Sequence, residues 1–228
     1  MAATVVPDSR YYDTRKWWRH RWRPIIGGFV LTFLIGVACA QVTRAFGDWN
    51  KGYAWERALM IRVHQPLPWA LDTLMVICPW FGTNISLIPA MALVSWWLWA
   101  RLGKPRLAMR LAIVQLGSYL LNPSLKALFD RARPALFERR GWYGWSSYPS
   151  GHAIASVSVL ITLAIILRQE KGWRWPMWVV IPIMLASMYS RVYLGVHWPT
   201  DVLAGATVGF VWLMVTIWAF RRADPADG

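Results

Sequence analysis

The chain has 228 residues, of which 57% are hydrophobic and only 16% are charged, and it contains 18 tryptophans. Soluble domains typically carry about 25% charged residues, so this composition excludes an ordinary water-soluble fold, and its hydrophobicity excludes a disordered chain. The 25 Lys and Arg residues against 11 Asp and Glu give a formal net charge of +14. Because the basic residues alternate with long apolar runs, this excess indicates a membrane protein with asymmetric loop charge rather than a nucleic-acid-binding protein.

Six apolar runs approach the roughly 20 residues that a helix needs to span the hydrocarbon core of a bilayer. A further stretch, residues 68–82, carries Asp72 and Pro79 and is short for a span, so we interpret it as a re-entrant or interfacial helix covered by protein. The predicted fold is all-α, a polytopic bundle of six transmembrane helices plus this short helix. If residues 68–82 span instead, the two termini lie on opposite sides. The six runs cover residues 25–42, 85–100, 107–125, 150–167, 175–190 and 202–220.

Three parts are predicted along the chain. Residues 1–24 form a basic and aromatic N-terminal segment, residues 25–222 the six-helix membrane domain, and residues 223–228 a C-terminal tail. Most Lys and Arg residues fall on the segments that share a side with the N-terminus, which predicts that both termini face the cytoplasm. Three outer regions follow from this topology, at residues 43–84, 126–149 and 191–201.

Polar residues cluster at three places on or next to these outer regions, where ionisable side chains at membrane depth are expected to be functional. The clusters read Lys126 to Pro134 with Arg133, Tyr148-Pro-Ser-Gly-His152, and Ser190 to Asp201 with Arg191 and His197. In order and spacing they match the pattern KxxxxxxRP, PSGH and SRxxxxxHxxxD. On these residues the chain resembles the type 2 phosphatidic acid phosphatase superfamily, and the resemblance covers about residues 107–220.

The cations and the start of a helix predict how a phosphate would be held. Transition-state oxygens of phosphate esters need positive charge nearby, which the Lys and Arg residues of the motifs can supply. A helix N-terminus adds N–H groups and a positive dipole end, and glycine there allows the backbone to approach the anion. The predicted phosphate-binding residues are Lys126, Arg133, Ser150, Gly151 and Arg191.

The resemblance also implies the catalytic roles. His197 attacks phosphorus and forms a phosphohistidine, while Asp201 accepts a hydrogen bond from its other ring nitrogen. His152 protonates the leaving oxygen and then activates water. Pro199 suits the first position of the last helix, which puts Asp201 in its first turn. We expect no metal and no other cofactor.

The family implies a metal-independent lipid phosphatase of the bacterial inner membrane, with its site facing the periplasm or exterior. Its partners are a lipid phosphate or diphosphate substrate and membrane lipids, with no nucleic acid. Bacterial members make undecaprenyl diphosphate the leading substrate, whose dephosphorylation regenerates a carrier lipid for cell-wall synthesis. Three alternatives stay open: a phosphatidylglycerophosphate phosphatase, a phosphatidic acid phosphatase, and a lipid phosphotransferase with the same site. A transporter is disfavoured because the polar residues gather at one face.

Several other polar residues receive non-catalytic interpretations. Asp72 is expected to cap the short helix rather than steady the site. His20 and His64 are interpreted as interfacial. A solvated outer loop is expected for Asp130, Arg131, Glu138, Arg139 and Arg140.

Overall fold

The protein is described by a computed structural model in which residues 14–141 and 143–221 are defined. Every regular element in these ranges is helical, which confirms the all-α class. Helix α3 continues as a 3₁₀ turn over Cys78–Phe81, and a π turn over Ser156–Leu160 joins α6 to α7 in one run. The helices are α1 (Thr14–Ala45), α2 (Ala54–Val63), α3 (Trp69–Ile77), α4 (Asn84–Ala100), α5 (Pro105–Phe129), α6 (Gly151–Ala155), α7 (Ile161–Lys171), α8 (Trp175–Tyr193) and α9 (Pro199–Arg221).

Each of the six predicted runs falls almost entirely within these helices. By length and apolar composition, three helices of the described ranges can cross a bilayer: Arg21–Ala45, Gly151–Lys171 and Pro199–Phe220. The segments Trp69–Phe81 and Asn84–Ala100 meet at a bend of 54° and form a fourth if they count as one span. The chain is a multi-pass membrane protein, and the count of six spans stays a prediction.

The structure adds two helical features to the expected organisation of the N-terminal part. Helix α1 already begins at Thr14, so residues 14–24 are helical and continuous with the first predicted span. The rest of the predicted N-terminal segment, residues 1–13, and the predicted tail, residues 223–228, lie outside the described residues. Helix α2 was not predicted from the sequence, because its ten residues mix polar and apolar side chains without a clear apolar face.

Small residues bring the start of α6 against α9. A Cβ atom on Gly205 would lie 2.5 Å from the Ser150 carbonyl oxygen, and one on Gly209 would lie 2.6 Å from the Ile154 carbonyl oxygen. Helices in a bilayer associate through close packing, which a glycine pair four residues apart permits. This contact therefore places the second sequence motif directly on the helix that carries the end of the third.

Backbone hydrogen bonds join the three motif segments at one end of the bundle. The Ser150 N–H donates to the Asp201 carbonyl oxygen at 3.0 Å, and the Ser147 N–H donates to that of Arg131 at 2.8 Å. The N–H groups of Val196 and His197 both donate to the Arg191 carbonyl oxygen, at 3.1 and 3.2 Å. Residues far apart in sequence are thus fixed around a single centre.

Candidate active site

His197 lies in the short connection between α8 and α9, and its side chain is 3% exposed. Its Nδ1 atom is 3.6 Å from Asp201 Oδ2, and its Nε2 atom is 3.4 Å from an Arg133 guanidinium nitrogen, Nη1. A guanidinium only donates hydrogen bonds, so Nε2 is the accepting nitrogen and the proton of the neutral ring sits on Nδ1, towards Asp201. At 3.6 Å the contact with Asp201 is longer than a hydrogen bond, as is common before substrate binds.

Asp201 occupies the first turn of α9, which begins at Pro199 as the sequence predicts. Its carboxylate is fully buried. Oδ2 accepts hydrogen bonds from the Ser147 hydroxyl and, at 2.9 Å, from the Trp198 N–H, while Oδ1 accepts one from Arg131 at 2.7 Å. These bonds fix the rotation of the carboxylate and point Oδ2 towards the ring of His197.

Electrostatics around His197 favour its neutral form. Burial, and then the positive charges of Arg133, Lys126 and Arg191, hold the pKa of His197 well below its usual value, although the nearby Ser147 backbone acts in the other direction. Neutral imidazole retains the lone pair that nucleophilic attack requires. Burial also lowers the pKa of Arg133 to about 10, which leaves this guanidinium charged at neutral pH.

Three cations surround the two histidines. Lys126 in the last turn of α5 donates from Nζ to the Ser146 carbonyl oxygen at 2.6 Å. Arg133 donates from Nε to the Gly144 carbonyl oxygen at 2.7 Å and from Nη1 to that of Val196. Arg191, in the last turn of α8, is 2% exposed. All three interact electrostatically with both His152 and His197, so the predicted cations form one positively charged centre.

The second motif begins a helix as predicted. Ser150 is the N-cap residue of α6, yet its buried hydroxyl makes no cap hydrogen bond and has no hydrogen-bond partner among the described residues. A Cβ atom on Gly151 would lie 2.6 Å from the Asn122 amide nitrogen, so this glycine allows α6 to pack closely on α5. The predicted approach of its backbone to phosphate stays a prediction.

Arg131 is the residue whose position differs most from the prediction made from the sequence. Its side chain is fully buried and contacts Asp201, so the prediction of a solvated loop is wrong at this position. A run of polar residues after a helix looks the same whether it faces water or buried acids, and here the second acid, Glu56, is 75 positions earlier in the chain. The one usable signal was its position between Lys126 and Arg133 of the first motif.

Asp72 also differs from expectation, whereas Arg140 is exposed, as expected for a solvated outer loop. The Asp72 carboxylate accepts hydrogen bonds from Arg140 at 2.7 and 2.8 Å and from the Tyr193 hydroxyl at 2.7 Å, so it ties α3 to the outer loop rather than capping its own helix. This pairing raises the pKa of Arg140. His64 stacks on Phe137 with ring centroids 3.6 Å apart, and the side chain of His20 lies outside what the structure describes.

No group of three or more His, Cys, Asp or Glu side chains in residues 14–141 and 143–221 is arranged to hold a metal ion. The centre is instead built from two histidines, one buried carboxylate and three cations. That donor set suits a phosphoryl group that is stabilised by protein cations and attacked by a side chain.

Comparison with known proteins decides the family. The sequence profile of the PAP2 superfamily matches residues 107–225, which include all three motifs. The chain belongs to the PAP2 superfamily. This PAP2 protein is 30% identical over 151 residues to an Escherichia coli (strain K12) protein provisionally named undecaprenyl-diphosphatase. The matched residues cover 63% of this chain and 70% of that protein. It is 28% identical over 186 residues to the undecaprenyl-diphosphatase of Sulfolobus acidocaldarius, covering 79% and 85% of the two chains.

The fold is also that of a solved PAP2 enzyme. The crystal structure of a transmembrane PAP2-type phosphatidylglycerolphosphate phosphatase from Bacillus subtilis matches with a TM-score of 0.66 and 22% identity, over 85% of this chain and 94% of that one. The family match over residues 107–225, together with this fold, identifies the PAP2 protein described here as a membrane-embedded lipid phosphatase of the superfamily.

Proposed function

We propose that this PAP2 protein removes the terminal phosphate of undecaprenyl diphosphate through a phosphohistidine on His197. The observation that carries the proposal is the position of the His197 ring, between the Asp201 carboxylate at 3.6 Å and the Arg133 guanidinium at 3.4 Å. Nε2 is the nitrogen on the side of the cations, so an anion drawn to them meets the nucleophilic lone pair.

In the first step, Nε2 attacks the terminal phosphorus and the bond from phosphorus to the bridging oxygen breaks. His152 gives its proton to the leaving lipid phosphate. Lys126, Arg133 and Arg191 stabilise the charge on the three equatorial oxygens, which is where protein catalysis of phosphoryl transfer acts most. In the second step, His152 takes a proton from water, which attacks phosphorus and releases inorganic phosphate as the P–N bond breaks.

The names of the two sequence relatives support the diphosphate lipid as substrate. Phosphatidylglycerophosphate, the substrate in the name of the structural relative, is the second candidate, followed by phosphatidic acid. A phosphotransferase would use the same first step and pass phosphate to another acceptor instead of water. Most Lys and Arg residues lie on the segments predicted to share a side of the membrane with the N-terminus. This excess supports an orientation with both termini in the cytoplasm and the site at the periplasmic or outer face of the bacterial inner membrane.

A substrate panel tests the assignment. We expect the purified protein in detergent to show its highest kcat/KM for undecaprenyl diphosphate, ahead of phosphatidylglycerophosphate and phosphatidic acid, with equal activity in the presence of a chelator. Phosphate release is measured for each lipid with the His197→Ala variant as the blank. A higher kcat/KM for phosphatidylglycerophosphate would assign the second candidate, and transfer of label to an added lipid or sugar would indicate a phosphotransferase.

The lowered pKa of His197 predicts that activity persists to lower pH than a histidine of ordinary pKa would allow. Because burial and nearby cations favour the neutral ring, kcat/KM should keep its plateau as pH falls past 6.5 and decline only at lower pH. A bound phosphate adds negative charge and raises the pKa of His197 in the complex, so the acid limb of kcat should lie at higher pH than that of kcat/KM. The substrate ionises in the same pH range, so its pKa is measured separately by phosphorus NMR and its contribution is removed from the two pH profiles. An acid limb of kcat/KM at or above pH 6.5 after this correction contradicts the prediction.

A further inference from the structure

Behind the candidate nucleophile lies a buried ionic cluster, here called the Arg131 cluster, formed by Glu56, Arg131, Thr200 and Asp201. Arg131 Nη1 is 2.7 Å from Asp201 Oδ1, and its Nη2 is 3.0 Å from Glu56 Oε2. All three charged side chains are completely buried. Nη1 also donates to the Thr200 hydroxyl at 2.6 Å.

The remaining polar atoms of the cluster are satisfied as well. Arg131 Nε donates to the Trp49 carbonyl oxygen at 2.8 Å, and its guanidinium carbon lies 4.7 Å from the Trp49 ring centroid. Glu56 accepts from the Tyr53 N–H at 3.0 Å and from the N–H and hydroxyl of Thr200 at 3.1 and 2.6 Å. Buried charges persist only when they are paired and hydrogen-bonded, so this arrangement fixes the guanidinium in one orientation.

Asp201 connects the cluster to the reacting ring. Its Oδ1 is held by Arg131, and its Oδ2 faces His197 Nδ1 at 3.6 Å. We propose that Arg131 and Glu56 are positioning residues that hold the Asp201 carboxylate in the rotation that keeps the His197 proton on Nδ1 and Nε2 available for attack. Neither residue touches the phosphate; both act through Asp201. The inference rests on the proposed function, in which His197 is the nucleophile.

Glu56 has a separate task within the cluster. Arg131 alone would draw electron density from Asp201 and weaken it as a partner for the His197 N–H. Glu56 shares the positive charge, so Asp201 keeps its negative character while Arg131 still fixes its orientation. Helix α2 carries Glu56, which gives this short helix a role in the site although it bears none of the three motifs.

The test is a set of double-mutant cycles. We expect Arg131→Met to lower kcat about 10²-fold and Glu56→Gln about 10-fold, with KM within about threefold of wild type, because the phosphate-binding cations stay in place. In an Asp201→Asn background, either second substitution should lower kcat by less than about threefold, since the residue through which they act no longer supports His197. Arg131→Lys should recover part of kcat, because lysine keeps the positive charge between the two acids but lacks the planar guanidinium that fixes their orientation.

A matched control removes an arginine–aspartate pair from the same outer loop. Arg140→Met breaks the contact with Asp72 and should leave kcat within about twofold of wild type. Arg131→Met leaves two buried carboxylates facing each other; where that variant does not fold, the near-isosteric Glu56→Gln cycle carries the test alone. The positioning role is overturned if the second substitution lowers kcat in the Asp201→Asn background by the same factor as in wild type. It is also overturned if the substitutions change only KM. Activity in His197→Ala overturns the proposed function as well, whereas an inactive His197→Ala with multiplicative losses overturns the positioning role only.

Discussion

Replacing His197 with alanine is expected to lower phosphate release from undecaprenyl diphosphate by at least about 10⁴-fold, because removal of a covalent nucleophile abolishes the low-barrier route. Affinity for the lipid should change little, since the cations Lys126, Arg133 and Arg191 remain. Steady-state phosphate release and equilibrium binding of the labelled lipid, measured on the same preparation, separate the two effects.

A second histidine offers a control for this variant. His64 stacks on Phe137 and contacts the Tyr193 carbonyl oxygen through Nδ1 at 2.8 Å, away from the cationic centre. We expect His64→Gln to retain activity within about threefold, as a substitution outside the reacting centre. Comparable losses in both variants would mean that His197→Ala acts by disturbing the fold, and full activity in His197→Ala would exclude it as the nucleophile.

Replacing His152 with alanine is expected to slow turnover by about 10²–10⁴-fold, the range that general acid–base catalysis contributes. The two half-reactions should respond unequally. A lipid phosphate leaves readily without a proton, whereas water needs a base to attack the phosphohistidine, so the diphosphate substrate should drive the variant into a stable phosphoenzyme. With a monophosphate substrate, whose alkoxide is a poor leaving group, the first step should become slow and no phosphoenzyme should accumulate.

Acid-quenched time courses are unsuitable for this measurement, because a phosphoramidate bond hydrolyses in acid, so the label is trapped in alkali. Ser158→Ala serves as the control: Ser158 lies further along the same helical run and donates to the Ile154 carbonyl oxygen at 2.7 Å. It should turn over normally. Wild-type turnover in His152→Ala, or equal accumulation from both substrates, contradicts the assignment of His152 as acid and base.

The helices and the motif residues could be predicted because their signals are local. Apolar runs mark α5, α8 and α9 within a few residues, and the cations and histidines of the motifs, Lys126, Arg133, Arg191, His152 and His197, meet at one centre. Pro199 begins α9 and Ser150 directly precedes α6, the positions that their residue types indicate, although the Ser150 hydroxyl makes no cap hydrogen bond. The helix bounds depend on neighbours within a few positions in sequence, whereas the meeting of the three motifs was predicted from their resemblance to the superfamily pattern.

The residues that were missed depend on distant partners. Arg131 meets Glu56 across 75 positions and Asp201 across 70, and Asp72 meets Arg140 across 68. Composition cannot tell a solvated arginine from one that is buried against two acids, since both follow a helix end in a polar run. Helix α2 was missed for a related reason: its buried residues are Glu56, which pairs with the distant Arg131, and Met60, which packs against Trp198 and Val202, and two buried positions give no apolar periodicity.

The central claim is the covalent intermediate on His197, and one measurement addresses it most directly. The purified protein is mixed with undecaprenyl diphosphate that carries radioactive terminal phosphate, quenched in alkali within milliseconds, digested and mapped by mass spectrometry. The account predicts an alkali-stable, acid-labile phosphate on the peptide that contains His197, formed at a rate no slower than turnover. Label on Ser150 or His152 instead, or turnover with no labelled peptide at any time, would contradict it.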